Sequence, residues 1–308
     1  MKYIKNTTEF FIEEPTVISL GKFDGIHRGH ELLLEQLLKK KREGCATVIF
    51  TFDIPPKKAL EDQEAKVLTT NEEKMHMFES FGIDYLIECP FTPKVMSMEP
   101  EVFIEMLVKN LSVKYIVAGE DFCFGRNRRG DYRMLQEYAK ELSYEAIILP
   151  KIKEEERDIS STFVREEIIA GRIERANNLL GYPYFVSGEV KHGNQIGRTI
   201  GFPTINLIPP ENKLLPSFGV YITKVTIDGI VYHGVTNVGR KPTIEGNNPV
   251  GIETHILDFK QDVYDKVVIV TFIKKLRDER KFPNLEALLE QLRLDVNEAN
   301  YYFSLDEN

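Results

Sequence analysis

The chain has 308 residues, a formal net charge of -8 and a hydrophobic fraction of 42%. This length is sufficient for two domains that each bury a core, and the composition is that of an ordinary globular protein. The acidic balance argues against a nucleic-acid-binding protein, whose binding face is usually basic.

Cysteine content and hydropathy indicate the compartment. The three cysteines, at positions 45, 89 and 123, share no metal-ligand spacing, and so sparse and odd a set indicates a reducing environment. No apolar run approaches the roughly 18 residues of a membrane-spanning helix, and residues 1–5 do not resemble a signal peptide. We therefore expect a cytoplasmic protein without nucleic-acid or membrane partners, whose oligomeric state the sequence does not indicate.

Strand and helix patterns alternate through the first half of the chain. Short apolar, β-branched stretches predict strands at 16–20, 46–52, 84–89, 115–118 and 144–149. Helical spacing, capping residues and terminal glycines predict helices at 31–42, 71–81, 99–110 and 131–142. This alternation predicts an α/β domain with a parallel sheet, helices on both of its faces, and ligands bound beyond the carboxyl ends of the strands.

The turn after the first of these strands carries Gly21, Gly25 and Gly29 together with two histidines. His27 and His30 flank the start of the next helix, where free N–H groups and the positive end of the helix dipole suit a phosphate. Taken alone, His-x-Gly-His is equally consistent with surface loop histidines. The strand–turn–helix context favours phosphate binding.

A second loop at the same sheet edge, residues 119–131, follows the fourth strand. It combines Phe122 and Phe124 with Arg126 and two further arginines. Aromatic rings and cations together suit a planar ligand that bears a phosphate. A solvated basic loop is the alternative, and composition alone favours it.

A third loop, residues 159–165, precedes a predicted helix. Ser161 or Thr162 is placed to cap that helix, and Arg165 lies in its first turn. Because the helix dipole disfavours a cation there, we expect Arg165 to face an anion. A plain helix cap beside a surface arginine is the alternative.

The second half of the chain changes to short strands with turns. Two short helices at 162–170 and 173–180 and a linker at 181–184 lead into it. Strands are predicted at 185–191, 219–227, 230–238, 252–259 and 266–273, and Asp228-Gly229 is a strong hairpin signal. With a helix at 285–302, this pattern predicts a small antiparallel barrel followed by one C-terminal helix.

A glycine-rich stretch opens the second half. Glycines at 193, 197 and 201 permit a loop whose N–H groups cradle phosphate. Thr204 and Asn206 are two residues apart on the strand that we expect there, so they share a face. Their hydroxyl and amide oxygens are hard ligands suited to Mg²⁺. A bulged hairpin with a polar outer face is the alternative.

Residues 252–259 contain the other polar candidates. By alternation, Glu253 and His255 point to the same side as Leu257 and Phe259. A carboxylate on such an apolar-leaning face can be desolvated, which makes it a better proton acceptor. An outward Glu–His pair on an edge strand is the alternative, and this stretch alone favours it somewhat.

Taken together, these motifs resemble two enzyme families. Residues 21–30 read Gly-x-Phe-Asp-Gly-x-His-x-Gly-His, and 119–125 and 159–165 match two further motifs of the bacterial FAD synthetases, which belong to the nucleotidylyltransferase superfamily. Residues 193–206, 234–239 and 253–259 resemble motifs of riboflavin kinase. The two resemblances cover nearly the whole chain in the order of the bifunctional enzyme.

The resemblance implies two activities, two domains and a set of site residues. Residues 1–182 would be a Rossmann-like nucleotidylyltransferase domain that adenylylates FMN to FAD with ATP, and residues 183–308 a riboflavin kinase barrel that uses Mg²⁺ and ATP. The residues carried over for adenylyl transfer are Gly21, Phe23, Asp24, Gly25, His27, Gly29, His30, Asp121, Phe122, Phe124, Gly125, Arg126, Ser160, Ser161, Thr162 and Arg165. Those for the kinase are Gly193, Gly197, Arg198, Gly201, Pro203, Asn237 and Arg277 for the substrates, Thr204 and Asn206 for Mg²⁺, and Glu253 as general base.

Several positions depart from the family patterns. Residues 51–56 lack the histidine usual after the second strand, and Cys123 replaces an arginine. In the kinase half, Lys241 stands where an arginine is usual. Two alternatives therefore stay open: a riboflavin kinase whose N-terminal domain binds nucleotide without transferring it, and a non-catalytic flavin- or nucleotide-sensing module.

Overall fold

The computed structural model describes residues 1–53, 66–192, 197, 200–240 and 250–306. The chain divides into two compact units, Met1–Ser161 and Thr162–Asn308. This division precedes the domain boundary that we predicted after residue 182, and that boundary stays a prediction. Gly193, Arg198, Lys241 and residues 54–56 of the motif after the second predicted strand lie outside the described residues.

A six-stranded parallel sheet forms the centre of the first unit. The strands of this unit are β1 (Lys2–Lys5), β2 (Thr16–Leu20), β3 (Ala46–Phe52), β4 (Tyr85–Cys89), β5 (Val113–Gly119), β6 (Cys123–Phe124), β7 (Gly130–Asp131), β8 (Glu145–Leu149), β9 (Lys153–Glu154) and β10 (Arg157–Asp158). The parallel sheet has the order β1-β4-β3-β2-β5-β8. The four remaining strands form two short antiparallel pairs, β6 with β7 and β9 with β10. The predicted parallel α/β fold is confirmed.

The helices of this unit begin near the positions that their capping residues predict. They are α1 (Arg28–Arg42), α2 (Asn71–Ser80), α3 (Pro93–Met96), α4 (Pro100–Asn110) and α5 (Tyr132–Ala139). Thr70 caps α2 and forms a reciprocal capping box with Glu73, which satisfies two backbone donors at once. Helix α1 begins three residues before the predicted start, so His30 lies inside its first turn and His27 is its N-cap.

Strand β1 is an element that the sequence analysis missed. Its four residues contain only two apolar side chains, and it pairs with β4 at the margin of the sheet. A short strand with one neighbour carries little of the hydrophobic signal that marks a buried strand. The Tyr3 hydroxyl donates a hydrogen bond of 2.9 Å to the carboxylate of Glu88 on β4. This side-chain contact adds to the backbone pairing of β1 with β4.

The second unit is a closed antiparallel barrel with helices at both ends of its sequence. Its elements are α6 (Ser161–Ile169), α7 (Ile173–Leu180), β11 (Phe185–Lys191), β12 (Ile205–Ile208), β13 (Gly219–Ile227), β14 (Ile230–Arg240), β15 (Val250–Ile256), β16 (Val267–Arg277) and α8 (Leu285–Asp306). The barrel closes in the order β11-β12-β15-β14-β13-β16. Helix α8 packs its Ala299 and Phe303 against apolar side chains of β13 and β14. The predicted barrel and C-terminal helix are confirmed.

The end of β13 was predicted correctly and the end of β15 was not, and the turn after each strand explains the difference. Asp228 and Gly229 both adopt positive φ, 51° and 81°, and join β13 to β14 as the Asp-Gly signal predicts. Strand β15 instead ends at Ile256, before the predicted residue 259, and Asp258 has a φ of 54°. The apolar alternation continued past the true end of the strand because Leu257 is buried without belonging to it.

A chain of three threonine hydroxyls crosses the barrel interior. Thr236 Oγ1 lies 2.7 Å from Thr223 Oγ1 and 2.8 Å from Thr254 Oγ1, and all three residues are fully buried. The three side chains belong to β13, β14 and β15, so the chain links three successive strands of the barrel. A buried hydroxyl must be hydrogen-bonded, and here the three satisfy one another.

Thr236→Val is expected to destabilise the barrel by about 1–3 kcal/mol, because it leaves both neighbouring hydroxyls without a partner. Chemical denaturation of the full chain measures the effect. The triple variant Thr223→Val, Thr236→Val, Thr254→Val should lose less than the single one, since no unpaired hydroxyl remains. A triple variant much weaker than the single one would contradict this account.

Candidate active sites

The first candidate site lies at the carboxyl edge of the parallel sheet. Chain order reverses between β2 and β5, since β2 connects towards β3 on one side while β5 and β8 lie on the other. In open α/β sheets ligands bind at such a point. The loops that leave β2 and β5, residues 21–27 and 120–131, are two of the three that the sequence predicts to bind ligand.

The turn after β2 is fastened to the segment that precedes α2. Asp24 Oδ1 accepts hydrogen bonds from the backbone N–H groups of Leu68 and Thr69, at 2.6 and 3.2 Å. Gly25 N donates to Thr69 Oγ1 over 3.0 Å. Phe23 and Gly25 have positive φ angles of 48° and 67°, so the turn departs from the conformations that most residues favour. Asp24 thus acts as a clamp on the turn.

Two histidine rings stack at the start of α1. The centroids of His27 and His30 are 3.9 Å apart with 25° between the ring planes, and His30 Nδ1 lies 3.2 Å from Gly25 O. His27 is buried, its side chain does not cap α1, and its Nδ1 has no hydrogen-bond partner among the described residues. A buried ring nitrogen without a partner next to a helix N-terminus is a candidate contact for an anionic ligand.

Both rings are neutral at physiological pH. Burial lowers the pKa of His27 to about 2, with a further lowering from the neighbouring His30, while the Asp121 carboxylate opposes the shift. Burial likewise lowers the pKa of His30 to about 4, which its contact with Gly25 O opposes. A neutral imidazole carries one N–H donor, so His27 can offer one hydrogen bond to a phosphate oxygen without adding a charge. The N–H of neutral His30 is on Nδ1 and donates to Gly25 O, so its Nε2 donates to a phosphate only after the ring takes up a proton.

These low values predict a pH dependence of stability. In the unfolded chain a histidine has a pKa of about 6.5, so the unfolded state binds more protons once the pH falls below that value. We expect the first unit of the ligand-free protein to lose up to about 1.4 kcal/mol per histidine for each pH unit below 6.5. Calorimetry of the full chain between pH 7 and 5 measures the loss, and His27→Asn should reduce its slope. An unchanged slope would contradict the neutral assignment.

Two glycines of this turn leave room for the rings of neighbouring side chains, and no ligand contact is needed to explain them. A Cβ on Gly29 would lie 3.1 Å from both Cε1 and Nδ1 of His27. A Cβ on Gly21 would lie 3.1 Å from the Phe23 ring. Larger residues at either position would displace a ring that shapes the turn, so these glycines support the histidines indirectly.

The loop after β5 contributes two phenylalanine rings and a glycine that no larger residue could replace. Phe122 and Phe124 stack with centroids 5.5 Å apart, and Phe124 is buried in the hydrophobic core against Phe103. Gly125 has a φ of 70°, and a Cβ there would lie 2.7 Å from Pro100 Cα. Phe122 is the half-buried ring of the pair, so it is the better placed to meet a planar ligand.

The arginines of this loop differ in their partners. Arg126 and Arg129 both pair with Glu99, at 3.4 and 2.7 Å. These pairs are exposed and therefore contribute little to stability. Because Glu99 already holds Arg126, the structure gives the predicted anion-binding role of Arg126 no direct support, and that role stays a prediction.

The third loop leads into α6, which begins at Ser161, one residue earlier than predicted. Ser161 and Thr162 therefore lie in the first turn of the helix, and Ser160 precedes it. Arg165 is half-buried in the next turn. The binding roles of these four residues stay predictions.

The second candidate site is a row of polar side chains across three barrel strands. Glu253 on β15 lies opposite Asn206 on β12 and opposite Asn237 on β14. Directly opposed residues of antiparallel strands share a face, so the three side chains stand side by side. Because β15 has a neighbour on each side in a closed barrel, the edge-strand alternative for Glu253 is wrong.

Two atoms of this row are available to a ligand. Asn206 is 7% exposed, and its Oδ1 is buried without a hydrogen-bond partner in the described part of the chain. The Glu253 carboxylate is half-buried and accepts no hydrogen bond from a described residue. Native proteins rarely leave buried polar atoms unpaired, so Asn206 Oδ1 indicates a polar ligand at this row, and the half-buried Glu253 carboxylate beside it is open to the same ligand.

The segment before β12 is held close to the same row. His255 Nδ1 lies 2.8 Å from Pro203 O, and the His255 ring packs edge-on against Phe202 at 5.5 Å. A Cβ on Gly197 would lie 2.3 Å from Phe202 O, so this position excludes any larger residue. Thr204 stands immediately before β12, half-buried, two residues from Asn206.

Arg277, which was predicted to bind substrate, pairs with a carboxylate of the C-terminal helix. Its guanidinium binds the buried carboxylate of Asp295 on α8, with Nε–Oδ1 and Nη2–Oδ2 distances of 2.9 and 2.7 Å. Gln291 Nε2 donates to the same carboxylate over 2.7 Å. This bidentate pair joins β16 to α8, and the predicted contact of Arg277 with substrate stays a prediction.

Three structural residues of these sites escaped the sequence analysis, namely Thr69, Thr236 and Asp295. Each acts on a residue far away in the chain, and isolated threonines or a helical aspartate carry no local signal. The described residues hold no group of three His, Cys, Asp or Glu side chains arranged to bind a metal. Within these residues no helix has the length and apolarity that a membrane span requires.

Family models match both halves of the chain. Residues 11–163 match the FAD synthetase model, and residues 180–303 match the riboflavin kinase model. The bifunctional riboflavin kinase/FMN adenylyltransferase of Bacillus subtilis is 36% identical over 94% of this chain and 93% of its own length. The enzyme of the same name from Escherichia coli K12 is 34% identical over 95% of this chain and 94% of its own length.

A solved structure covers the same extent. A crystal structure described as a macrolide-efflux protein from Streptococcus pneumoniae has a TM-score of 0.88 and 33% identity, and the match covers 97% of this chain and 98% of that one. That name differs from the names of the curated relatives, and the assignment rests on the two family models and on those relatives. This chain belongs to the family of bifunctional riboflavin kinase/FMN adenylyltransferases.

Proposed function

We infer that the chain is a bifunctional transferase that phosphorylates riboflavin to FMN with ATP and adenylylates FMN to FAD with a second ATP. The observation that carries this conclusion is the pair of family models, which match separate stretches at 11–163 and 180–303. Each stretch also contains its own candidate site. We assign adenylyl transfer to residues 1–182 and the kinase to residues 183–308.

In adenylyl transfer, His27 and His30 are proposed to hold the ATP phosphates, His27 as a neutral donor and His30 in its protonated form. The unpartnered Nδ1 of His27 and the position of both rings at the start of α1 support this role. An oxygen of the FMN phosphate forms a bond to the α-phosphorus while the bond from that phosphorus to the leaving pyrophosphate breaks. Negative charge builds on the α-phosphate in this step, and donors already in place stabilise it. Phe122 is proposed to contact the flavin ring. Asp121, its neighbour in the same loop, is proposed to take part in ligand binding there.

In the kinase, Glu253 is proposed to orient the terminal hydroxyl of the ribityl chain and to accept its proton. Its open carboxylate, between Asn206 and Asn237, supports that role. The hydroxyl oxygen then forms a bond to the γ-phosphorus while the bond to the ADP oxygen breaks. Asn237 is proposed to help orient the substrate from the other side of Glu253.

Mg²⁺ is the metal that we propose for the kinase site. The buried, unpartnered Oδ1 of Asn206 is a hard oxygen donor and fits such an ion, and Thr204 offers a hydroxyl two residues away. When bound, Mg²⁺ neutralises charge on the ATP phosphates. A site that shares its ion with substrate phosphates needs few protein ligands.

One assay tests both activities. The purified full chain is incubated with riboflavin, ATP and Mg²⁺, and FMN and FAD are separated by chromatography. We expect FMN to form first and FAD to follow. If FMN accumulates and no FAD forms, even when FMN is supplied directly, the protein is a riboflavin kinase whose N-terminal domain binds nucleotide without transferring it. The absence of both products would favour the flavin- or nucleotide-sensing alternative.

A further inference from the structure

Lys74 is a buried lysine at the edge of the sheet where adenylyl transfer is proposed. It lies in the first turn of α2 and is 7% exposed. Helix α2 follows directly on Leu68 and Thr69, the two residues that clamp Asp24. A lysine this deeply buried is rare unless an opposite charge lies nearby. The roles proposed above give Lys74 no function.

The packing of α2 directs Lys74 towards the Gly21–His30 turn. Phe78, four residues later, is fully buried, and its ring packs edge-on against the Phe23 ring with centroids 5.4 Å apart. Residues four apart lie on the same face of a helix. Since Phe78 faces Phe23, Lys74 on the same face is directed towards the same turn, one helical turn nearer to the carboxyl edge.

Two carboxylates lie within electrostatic range of the Lys74 ammonium. They are Glu88, which is 7% exposed and accepts from the Tyr3 hydroxyl, and Asp24 of the turn. Burial lowers the pKa of Lys74, and the charges of both carboxylates oppose that lowering. Among the described residues the ammonium forms no direct ion pair or hydrogen bond, so it acts on both carboxylates through space.

We propose that Lys74 is a positioning residue for adenylyl transfer: its ammonium balances the charges of Asp24 and Glu88, and so keeps the clamp on the turn that presents His27 and His30. Without this cation, the buried Glu88 and the half-buried Asp24 would lose a positive charge that offsets theirs. The Asp24 clamp would then weaken, because the loss of an offsetting charge makes a partly buried carboxylate less favourable where it lies. The inference rests on the proposed adenylyl transfer in the first unit.

The first test removes the charge and keeps the bulk. Lys74→Met should lower kcat for FAD formation from supplied FMN about 10- to 100-fold, because the histidines lose their alignment. Lys74→Arg keeps the cation and should recover most of the rate. Riboflavin phosphorylation by the same variants should stay at the wild-type rate. The matched control is Lys94→Met on α3, which removes an exposed lysine of the same unit and should change neither activity.

A double-mutant cycle separates charge balance from general loss of structure. Asp24→Asn keeps Oδ1 as an acceptor for Leu68 and Thr69 and removes only the charge. If Lys74 balances that charge, Asp24→Asn should restore FAD formation in the Lys74→Met background at least about threefold, although it lowers the rate in the wild type. Glu88→Gln runs the same cycle on the second carboxylate.

The outcomes are distinct. Wild-type kinetics for Lys74→Met, or strictly additive effects in both cycles, would overturn the role of Lys74. If thermal unfolding shows that Lys74→Met does not fold, Lys74→Gln replaces it in both double-mutant cycles. A wild-type protein that makes no FAD from FMN would refute the proposed adenylyl transfer itself, which is a separate result from additivity in an active enzyme.

Discussion

His30→Ala is expected to lower FAD formation from FMN by about 10²–10³-fold and to leave riboflavin phosphorylation nearly unchanged. The ring stacks on His27 with centroids 3.9 Å apart and stands at the start of α1, so its removal takes away one proposed phosphate contact and loosens the other ring. The loss should appear in kcat for adenylyl transfer, since these contacts act on charge that develops during the reaction. Steady-state kinetics with FMN and with riboflavin as separate substrates measure both effects.

The control for this experiment is His76→Ala. His76 is an exposed histidine of α2 in the same unit. The substitution therefore removes the same kind of side chain but leaves the turn that carries His27 and His30 unchanged. It should leave both activities intact. An equal loss of both activities in His30→Ala would contradict two separate centres and would indicate unfolding or a shared site.

The turn that carries these histidines illustrates what the sequence can predict at a site. Glycines, an aspartate and two histidines within ten residues, between a buried strand and a helix, are a local signal, and the structure has them where the pattern predicts. The clamp on this turn was not predictable in the same way. Asp24 bonds to Leu68 and Thr69, more than 40 residues away, and an isolated threonine before a helix reads only as a cap.

The barrel shows the same limit at the level of strand register. Asn206, Glu253 and Asn237 could each be singled out from a motif, but their alignment in one row depends on how β12, β15 and β14 pair. Register follows from the packing of both faces of a strand, which one strand alone does not determine. For the same reason Glu253 was assigned to an edge strand in one interpretation, although its strand is paired on both sides.

Arg277 is an instructive case of a charged residue with two possible uses. At the end of a long strand, a cation is as suitable for a substrate phosphate as for a structural carboxylate. In the structure it binds the buried Asp295, and removing one partner of such a pair typically costs about 3–5 kcal/mol. Nothing in the sequence near Asp295 distinguishes it from the other acidic residues of α8, so this pairing became visible only with the fold.

Glu253→Gln is expected to reduce riboflavin phosphorylation by about 10²–10⁴-fold in turnover, because glutamine keeps the shape of the side chain but cannot take the proton of the ribityl hydroxyl. The carboxylate lies between Asn206 and Asn237 and accepts no hydrogen bond from a described residue, so it is open to a substrate hydroxyl. Binding of ATP and riboflavin should survive, since the groups proposed to hold them are unchanged. Turnover and binding are measured separately, by FMN formation and by calorimetric titration.

Adenylylation of supplied FMN by Glu253→Gln should continue at the wild-type rate, because that site is proposed in the other unit. The matched control is Glu298→Gln on α8, which neutralises an exposed glutamate of the same unit and should leave phosphorylation unchanged. A Glu253→Gln variant that phosphorylates riboflavin as fast as the wild type would refute the general-base role. Glu253 would then be a polar residue of the barrel face without a catalytic role.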